Sequence, residues 1–276
     1  MRLASSPVVA AFAPQTQSRL LRKPRRLLLW CCMATSFNPR LADLLGYDAH
    51  LPAVQAERLL PSALAERFKQ PPIWQPDVDI ERWLKAPNPV AASVLIPLVM
   101  RPSPTVLLTQ RTAHLNKHAG QISFPGGRRE DSDPSAVFTA LREAEEEVGL
   151  DPERVTVLGC LPTYTTGTGF VVTPVVGLIH VGPHEGDRLD LKADPSEVES
   201  IFEVPLSFLM DPRHHQRRVF APLATGDDGE TKALEFFAMD WQPAGRSGLD
   251  LSVSAGHFIW GATAAMLRNL YRMLSA

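Results

Sequence analysis

Three cysteines in 276 residues, two of them adjacent (Cys31 and Cys32), are too few for a disulfide framework or a cysteine-built zinc cluster. A reducing compartment is the simplest expectation from such sparing use. Long hydrophobic runs are also missing: Leu27-Leu28-Leu29-Trp30-Cys31-Cys32-Met33 falls far short of the roughly 20 apolar residues that span a bilayer. Neither charge dominates, with 28 Lys+Arg against 30 Asp+Glu and a net charge of -2, so nothing in the balance asks for a nucleic-acid partner. A G-x-S-x-G elbow, a Walker A loop and an H-E-x-x-H pair are all absent, which removes three common hydrolase designs. There is no internal repeat. What remains is an ordinary globular composition, 45% hydrophobic and 21% charged, in a chain long enough for a sizeable core.

Acidic residues are absent from positions 1–40, which hold seven basic ones; the rest of the chain carries 21 basic and 30 acidic residues, a net of -9. The arm reads as a disordered segment or as a mis-assigned start, with translation beginning at Met33. An acid-free, Arg-rich stretch is also what organelle transit peptides look like. A cytoplasmic protein is expected on the first readings and an organellar one on the last.

Residues 41–70 read as a helical extension, because Leu41, Leu44, Leu45, Val54, Leu59, Leu60 and Leu64 recur at helix-like spacing until Pro71-Pro72 stops them. The Pro-rich stretch up to Pro87-Asn88-Pro89 marks a boundary, giving an extension over 41–88 and a main domain over 89–276. Within the main domain, 91–100 is an apolar run fit for a buried strand, although Pro97 suggests an edge or a bulge. Strands are expected at 105–109, 155–162, 170–181 and 198–204, with a hairpin over 217–222 and 233–240. A final amphipathic helix is expected over 256–274. Strands and helices alternate without a regular βαβ rhythm, which argues for an α/β fold with a mixed sheet and helices on both faces.

The clearest helix covers 134–148, with Asp133 as a cap, Pro134 in the first position and Gly149 at the end. Val137, Leu141, Ala144 and Val148 line its apolar side. On the other side Glu143, Glu146 and Glu147 fall within one arc of about 100°. Like charges at i,i+4 repel, and the last turns of a helix disfavour anions. A rule broken twice at one spot marks function. A divalent cation would reverse the sign of the problem, and oxygen-only ligands suit Mg2+ or Mn2+. Just upstream, Gly126-Gly127 permits close backbone approach to a ligand, and Arg128 and Arg129 are at hand for phosphate. Arg142 can reach back to that turn or pair with a neighbouring carboxylate.

The segment Gly127 to Leu150 resembles the Nudix box, G-x5-E-x7-R-E-U-x-E-E-x-G-U with U apolar. Arg142, Glu143, Ala144, Glu146, Glu147, Gly149 and Leu150 match its second half. In its first half Gly127 stands fifteen residues before Arg142 rather than fourteen, and no Glu holds the first acidic position; Asp133 and Glu130 are the substitutes at hand. Upstream, Leu107-Leu108-Thr109-Gln110-Arg111-Thr112, then Gly120 and Phe124-Pro125-Gly126-Gly127, is similar to the signature of the coenzyme A pyrophosphatase branch. Thr112 and Asn116 differ from it, with Lys117 beside Asn116 as a substitute charge.

The resemblance implies a Nudix-type α/β/α sandwich and metal-dependent hydrolysis of coenzyme A or acyl-coenzyme A to 3′,5′-ADP and (acyl-)4′-phosphopantetheine. Other nucleoside diphosphate derivatives, such as ADP-ribose or dinucleotides, are the alternative substrates, and a non-catalytic nucleotide-binding module is a third reading. It implies Glu143, Glu146 and Glu147 as metal ligands, Arg142 as the residue that orients a glutamate, and Arg111, Gly126, Gly127 and Arg128 as the substrate-contacting set. Glu197 and Glu199 are candidates for the base. A small-molecule substrate, no membrane and no nucleic acid are expected, and a homodimer is left open. His214-His215 reads as a solvated loop, Cys160 as a buried small hydrophobe, and Phe258 and Trp260 as core residues of the last helix.

Overall fold

A computed structural model describes residues 38–77, 89–113, 119–181, 189–225, 231–243 and 256–276. Asn116, Lys117, His114 and His118 lie outside the described residues, as does the basic arm up to residue 37. Twelve strands can be followed among the described residues: β1 (Asp43–Tyr47), β2 (Val90–Val99), β3 (Thr105–Arg111), β4 (Ile122–Ser123), β5 (Gly126–Arg128), β6 (Val155–Cys160), β7 (Tyr164–Thr165), β8 (Phe170–Ile179), β9 (Val198–Pro205), β10 (Gln216–Thr225), β11 (Thr231–Trp241) and β12 (His257–Trp260). The helices are α1 (Pro61–Lys69), α2 (Ala136–Val148), α3 (Leu206–Leu209) and α4 (Gly261–Ser275).

The larger sheet runs β4-β3-β2-β8-β6, with β5 added to β2, β7 to β8 and β9 to β3. It is mixed, because β2 and β8 are parallel over Val90–Val99 and Phe170–Ile179 while the other pairs are antiparallel. Apart from Ser93, strand β2 is apolar because both its faces are covered. Leu95 and Val99 meet Ala140, Ala144 and Val148 of α2 on one side. Ile96 and Leu98 share the core on the other side with Leu64 of α1 and Leu267 and Leu270 of α4. The chain is thus α/β with helices on both faces of a mixed sheet. No helix among the described residues is long and apolar enough to cross a membrane.

Several expectations fail for identifiable reasons. Residues 43–47 are a strand, not the start of a helical extension: β1 pairs with β10 at the edge of a second sheet ordered β1-β10-β11-β12. A helix of a few residues interrupted by Gly46 cannot offset its nucleation cost, whereas the open edge of β10 offers ready hydrogen bonds. The last helix starts only at Gly261, whose φ of 60° turns the chain out of β12, so Phe258 and Trp260 belong to a strand. Pro97 lies in an interior strand, yet it falls between the β5 register, which ends at Val94, and the β3 register, which begins at Leu98. Its missing N–H is not needed there. Finally, Cys160 is exposed rather than buried and borders an open groove of about 510 Å3 lined by Phe68, Trp74, Leu161 and Met273 among others.

The His214-His215 pair is not a solvated loop. His214 stacks on Phe208 with ring centroids 4.0 Å apart. His215 is fully buried, its Nε2 donating to the Leu209 carbonyl at 2.8 Å and its Nδ1 accepting from Arg268 Nη1 at 2.9 Å. These two bonds fix the tautomer, because an arginine cannot accept.

Candidate active site

Helix α2 delivers the acidic residues. Ser135, not Asp133, caps it, its hydroxyl accepting from the Phe138 N–H at 3.1 Å. Gly149 closes it with a left-handed φ of 67°. The apolar side is pinned by Ala140, Ala144 and Val148, which points the opposite side at β5. Strand β5 hydrogen-bonds to β2, with Gly126 opposite Val94 and Gly127 opposite Ser93, so the expected glycine turn is a short strand laid beside the acidic face of the helix.

The two glycines serve different ends. A methyl group on Gly126 would collide with the backbone of Ser93 and Val94, and its φ of 154° is one that side chains rarely adopt. A methyl group on Gly127 would collide first with the Glu143 carboxylate, the end of a side chain rather than backbone. Gly126→Ala is therefore expected to cost about 1–3 kcal/mol of stability, as overpacking does. Gly127→Ala should leave the urea midpoint nearly unchanged while displacing Glu143 and abolishing activity. Equal loss of stability in both variants would contradict this division.

Arg142 is the structural centre of the site. Its guanidinium donates to both oxygens of Asp133 at 3.1 and 3.0 Å, to Glu146 at 2.9 Å, to Glu143 at 2.9 Å and to the Arg128 carbonyl at 3.3 Å. Asp133 also accepts from the Glu130 N–H and the Thr139 hydroxyl, at 3.0 and 2.9 Å. Of the two candidate substitutes for the box's first acid, Asp133 is thus the one that meets Arg142, by a bidentate fork–carboxylate pair. That pairing holds the Asp133 carboxyl well below the usual carboxylate range, and holds the Arg142 guanidinium above its own. Asp133 stands six residues after Gly127, as the box's first acid does, so the extra residue lies between Asp133 and Arg142.

The three box acids differ in environment. Glu146 is largely exposed and turned to Arg142. Glu143 is partly buried against Gly127, and burial raises its pKa, opposed by the Arg142 hydrogen bond. Glu147 is only 5% exposed. One of its oxygens accepts from the Gly126 N–H at 3.1 Å, and the other faces Arg111 Nη1 at 3.4 Å. Burial pushes its pKa up to about 7, against the pull of Gly126 N–H and Arg111, with the charges of Glu197 and Glu143 adding to the rise. Arg111, the last residue of β3, reaches Glu197 Oε2 with its other nitrogen at 3.3 Å. Glu199 and the Arg128 side chain are exposed, and the Arg128 contact with this site is made by its carbonyl.

Among the described residues no three acids converge tightly enough to form a ready-made metal cage. Glu143 and Glu146 are turned to Arg142, and Glu147 to Gly126 and Arg111, as mutually repelling anions are when arginines stand nearby. The donor set is nonetheless the right one for a hard divalent cation. Carboxylate oxygens from Glu143, Glu146 and Glu147 stand on one helical arc, and two of them are desolvated at a cost that a cation would offset. Sequence reasoning names these acids and Arg142 as candidates. It did not assign Thr139 or Ser135, which no motif marks.

A family model described as NUDIX domain matches residues 89–241. A protein of Escherichia coli strain K12 named "Uncharacterized Nudix hydrolase NudL" is 43% identical over 179 residues, covering 65% of this chain and 80% of that one. A protein of the same name from Shigella boydii serotype 18 is 42% identical over the same length and coverage. Among solved structures, a MutT/nudix family protein from Enterococcus faecalis covers 76% of this chain and 72% of its own at 14% identity, with a TM-score of 0.35.

Proposed function

The chain belongs to the Nudix hydrolases, and on that premise we propose that its substrate is coenzyme A or an acyl-coenzyme A. It is a pyrophosphohydrolase, and hydrolases of this family generally use divalent metal ions. For this chain the reading is Mg2+ or Mn2+ held by Glu143, Glu146 and Glu147. Water adds to one phosphorus of the pyrophosphate, the bridging P–O bond breaks, and the departing phosphate keeps the bridging oxygen. The products are 3′,5′-ADP and (acyl-)4′-phosphopantetheine.

The observation that carries the reading is the meeting of two signatures on one carboxylate. Arg111, from the upstream coenzyme A-type motif, and Gly126, from its Phe-Pro-Gly-Gly end, both contact Glu147 of the box. The upstream motif is therefore part of the same site rather than a remote structural element, which supports the coenzyme A reading.

A cation held by Glu143, Glu146 and Glu147 would supply charge neutralisation on the pyrophosphate and make water more acidic. The protein's own residues do the positioning. Arg142, locked by Asp133, fixes the rotamers of Glu143 and Glu146. The Gly126 N–H fixes Glu147. The bare backbone of Gly127 leaves room for the Glu143 carboxylate, and Gly126, Gly127 and the exposed Arg128 are read as the substrate contacts on this strand. Glu197, ion-paired with Arg111 beside Glu147, is the nearer of the two candidates for the base.

Product analysis tests the reading. The full chain is given coenzyme A, an acyl-coenzyme A, ADP-ribose and a dinucleotide with Mg2+ or Mn2+. Release of 3′,5′-ADP is expected, reduced at least a hundredfold in Glu146→Gln; even outer-shell partners of metal ligands cost about 10–100-fold. Cleavage confined to ADP-ribose or the dinucleotide would refute the coenzyme A assignment and leave the chemistry standing.

A further inference from the structure

Arg142 and Arg111 both neutralise box acids, but in different ways. Arg142 makes close bonds of 2.9 to 3.1 Å with three carboxylates. Arg111 spans two carboxylates at 3.4 and 3.3 Å, at the long end for a charge-assisted pair. It is also partly exposed, and Glu197, its second anchor, is about half exposed. Arg142 is built in, whereas Arg111 is held loosely at the most deeply buried of the three box acids.

We propose that Arg111 is the exchangeable counter-ion of the cation-free site: a divalent cation and this guanidinium compete for Glu147, and the guanidinium is released when the cation binds. This rests on the reading that the box acids hold a divalent cation. Two positive groups on one buried carboxylate repel each other strongly in a poorly solvated site. Of the two Glu147 oxygens, one already accepts from the Gly126 N–H, so the guanidinium stands at the less engaged one. Once released, Arg111 remains tethered at the end of β3, whose last residues pair with β4 next to the Phe124-Pro125-Gly126 approach. A guanidinium there meets the phosphates of an incoming pyrophosphate bidentately. The same side chain thus shields Glu147 before loading and recognises substrate after it.

The test is Mn2+ binding without substrate, measured by the electron paramagnetic resonance of free Mn2+ on the full chain. Arg111→Gln is expected to bind Mn2+ about tenfold more tightly than the wild type, within the usual range of coupling between two ligands. Arg111→Lys, which keeps the charge, should stay close to the wild type. Unchanged or weaker binding by Arg111→Gln would overturn the proposal, since a pure substrate ligand predicts the first and a mere support for Glu147 the second. A second measurement needs no variant. Phenylglyoxal modification of the wild type, read by peptide mass spectrometry, should speed up at Arg111 on adding Mg2+ and stay constant at Arg142. Equal reactivity of Arg111 with and without Mg2+ would overturn the idea. A wild type that binds no Mn2+ at all would instead refute the metal reading on which it rests.

Discussion

Replacing Arg268 with methionine is expected to lower stability by about 3–5 kcal/mol, the usual cost of removing one partner from a buried ion pair. Arg268 lies on α4 and is only 4% exposed. It pairs with Asp48 at 2.8 Å and Asp77 at 2.5 Å, donates to His215 at 2.9 Å, and lies over the rings of Phe237 and Tyr271. Its removal strands the buried Asp48 carboxylate and leaves His215 Nδ1 without its donor. The same guanidinium ties together the segment after β1, the residues after α1, the turn before β10 and the C-terminal helix. Thermal unfolding should fall by about 10 °C, at the 2–4 °C per kcal/mol usual for domains of this size. Arg268→Lys should recover part of this, because it restores the charge but not the fork. A drop of under about 2 °C for Arg268→Met would show that the network contributes little beyond packing.

The metal-free protein is expected to have nearly pH-independent stability between pH 4.5 and 6.5, because two buried groups act in opposite directions. Burial lowers His215 to about 4, aided by the nearby Arg268 and His214 charges and opposed by the Leu209 carbonyl and Asp211. The unfolded histidine takes up a proton below about 6.5, so this contribution is fully present above that pH and lost as pH falls towards 4. Burial raises Glu147 to about 7. Its contribution is fully present below the unfolded value of about 4.5 and lost as pH rises towards 7. Each amounts to about 3 kcal/mol over its window, at 1.36 kcal/mol per pH unit. Glu147→Gln should therefore unmask a fall in stability on acidification, and His215→Phe should unmask a fall on neutralisation, both followed by urea unfolding in EDTA. Parallel pH profiles for the two variants and the wild type would contradict the assignment. Added Mg2+ should remove the penalty at Glu147 and steepen the wild-type profile towards that of Glu147→Gln.

The acidic face of α2 was legible because its signal is local: Glu143, Glu146 and Glu147 follow the 3.6-residue period, and the ending at Gly149 needs nothing beyond the next residue. The buried strand at 91–100 was legible for a similar reason, since only a strand covered on both faces is apolar throughout. The failures share the opposite property. Residues 43–47 carry leucines at a spacing that fits either a short helix or a strand, and the free edge of β10, some 170 residues away, chose between them. His215 looked like a solvent-facing residue because its neighbours in sequence are charged, while its true partners, Leu209 O and Arg268, are set by the packing of α4.

The sequence by itself determined the family, the mixed α/β architecture and the identity of the acids and of Arg142, because spacing along a helix and within a motif is a property of the chain alone. The tertiary structure decided the rest. It joined Asp133 to Arg142 and seated the side of Gly127 against Glu143. It also brought Arg111 and Glu197 to Glu147 from β3 and the start of β9, which are 36 and 50 residues from it along the chain. Burial and charge at a carboxylate are summed over every element packed around it, and no one-dimensional pattern contains that sum.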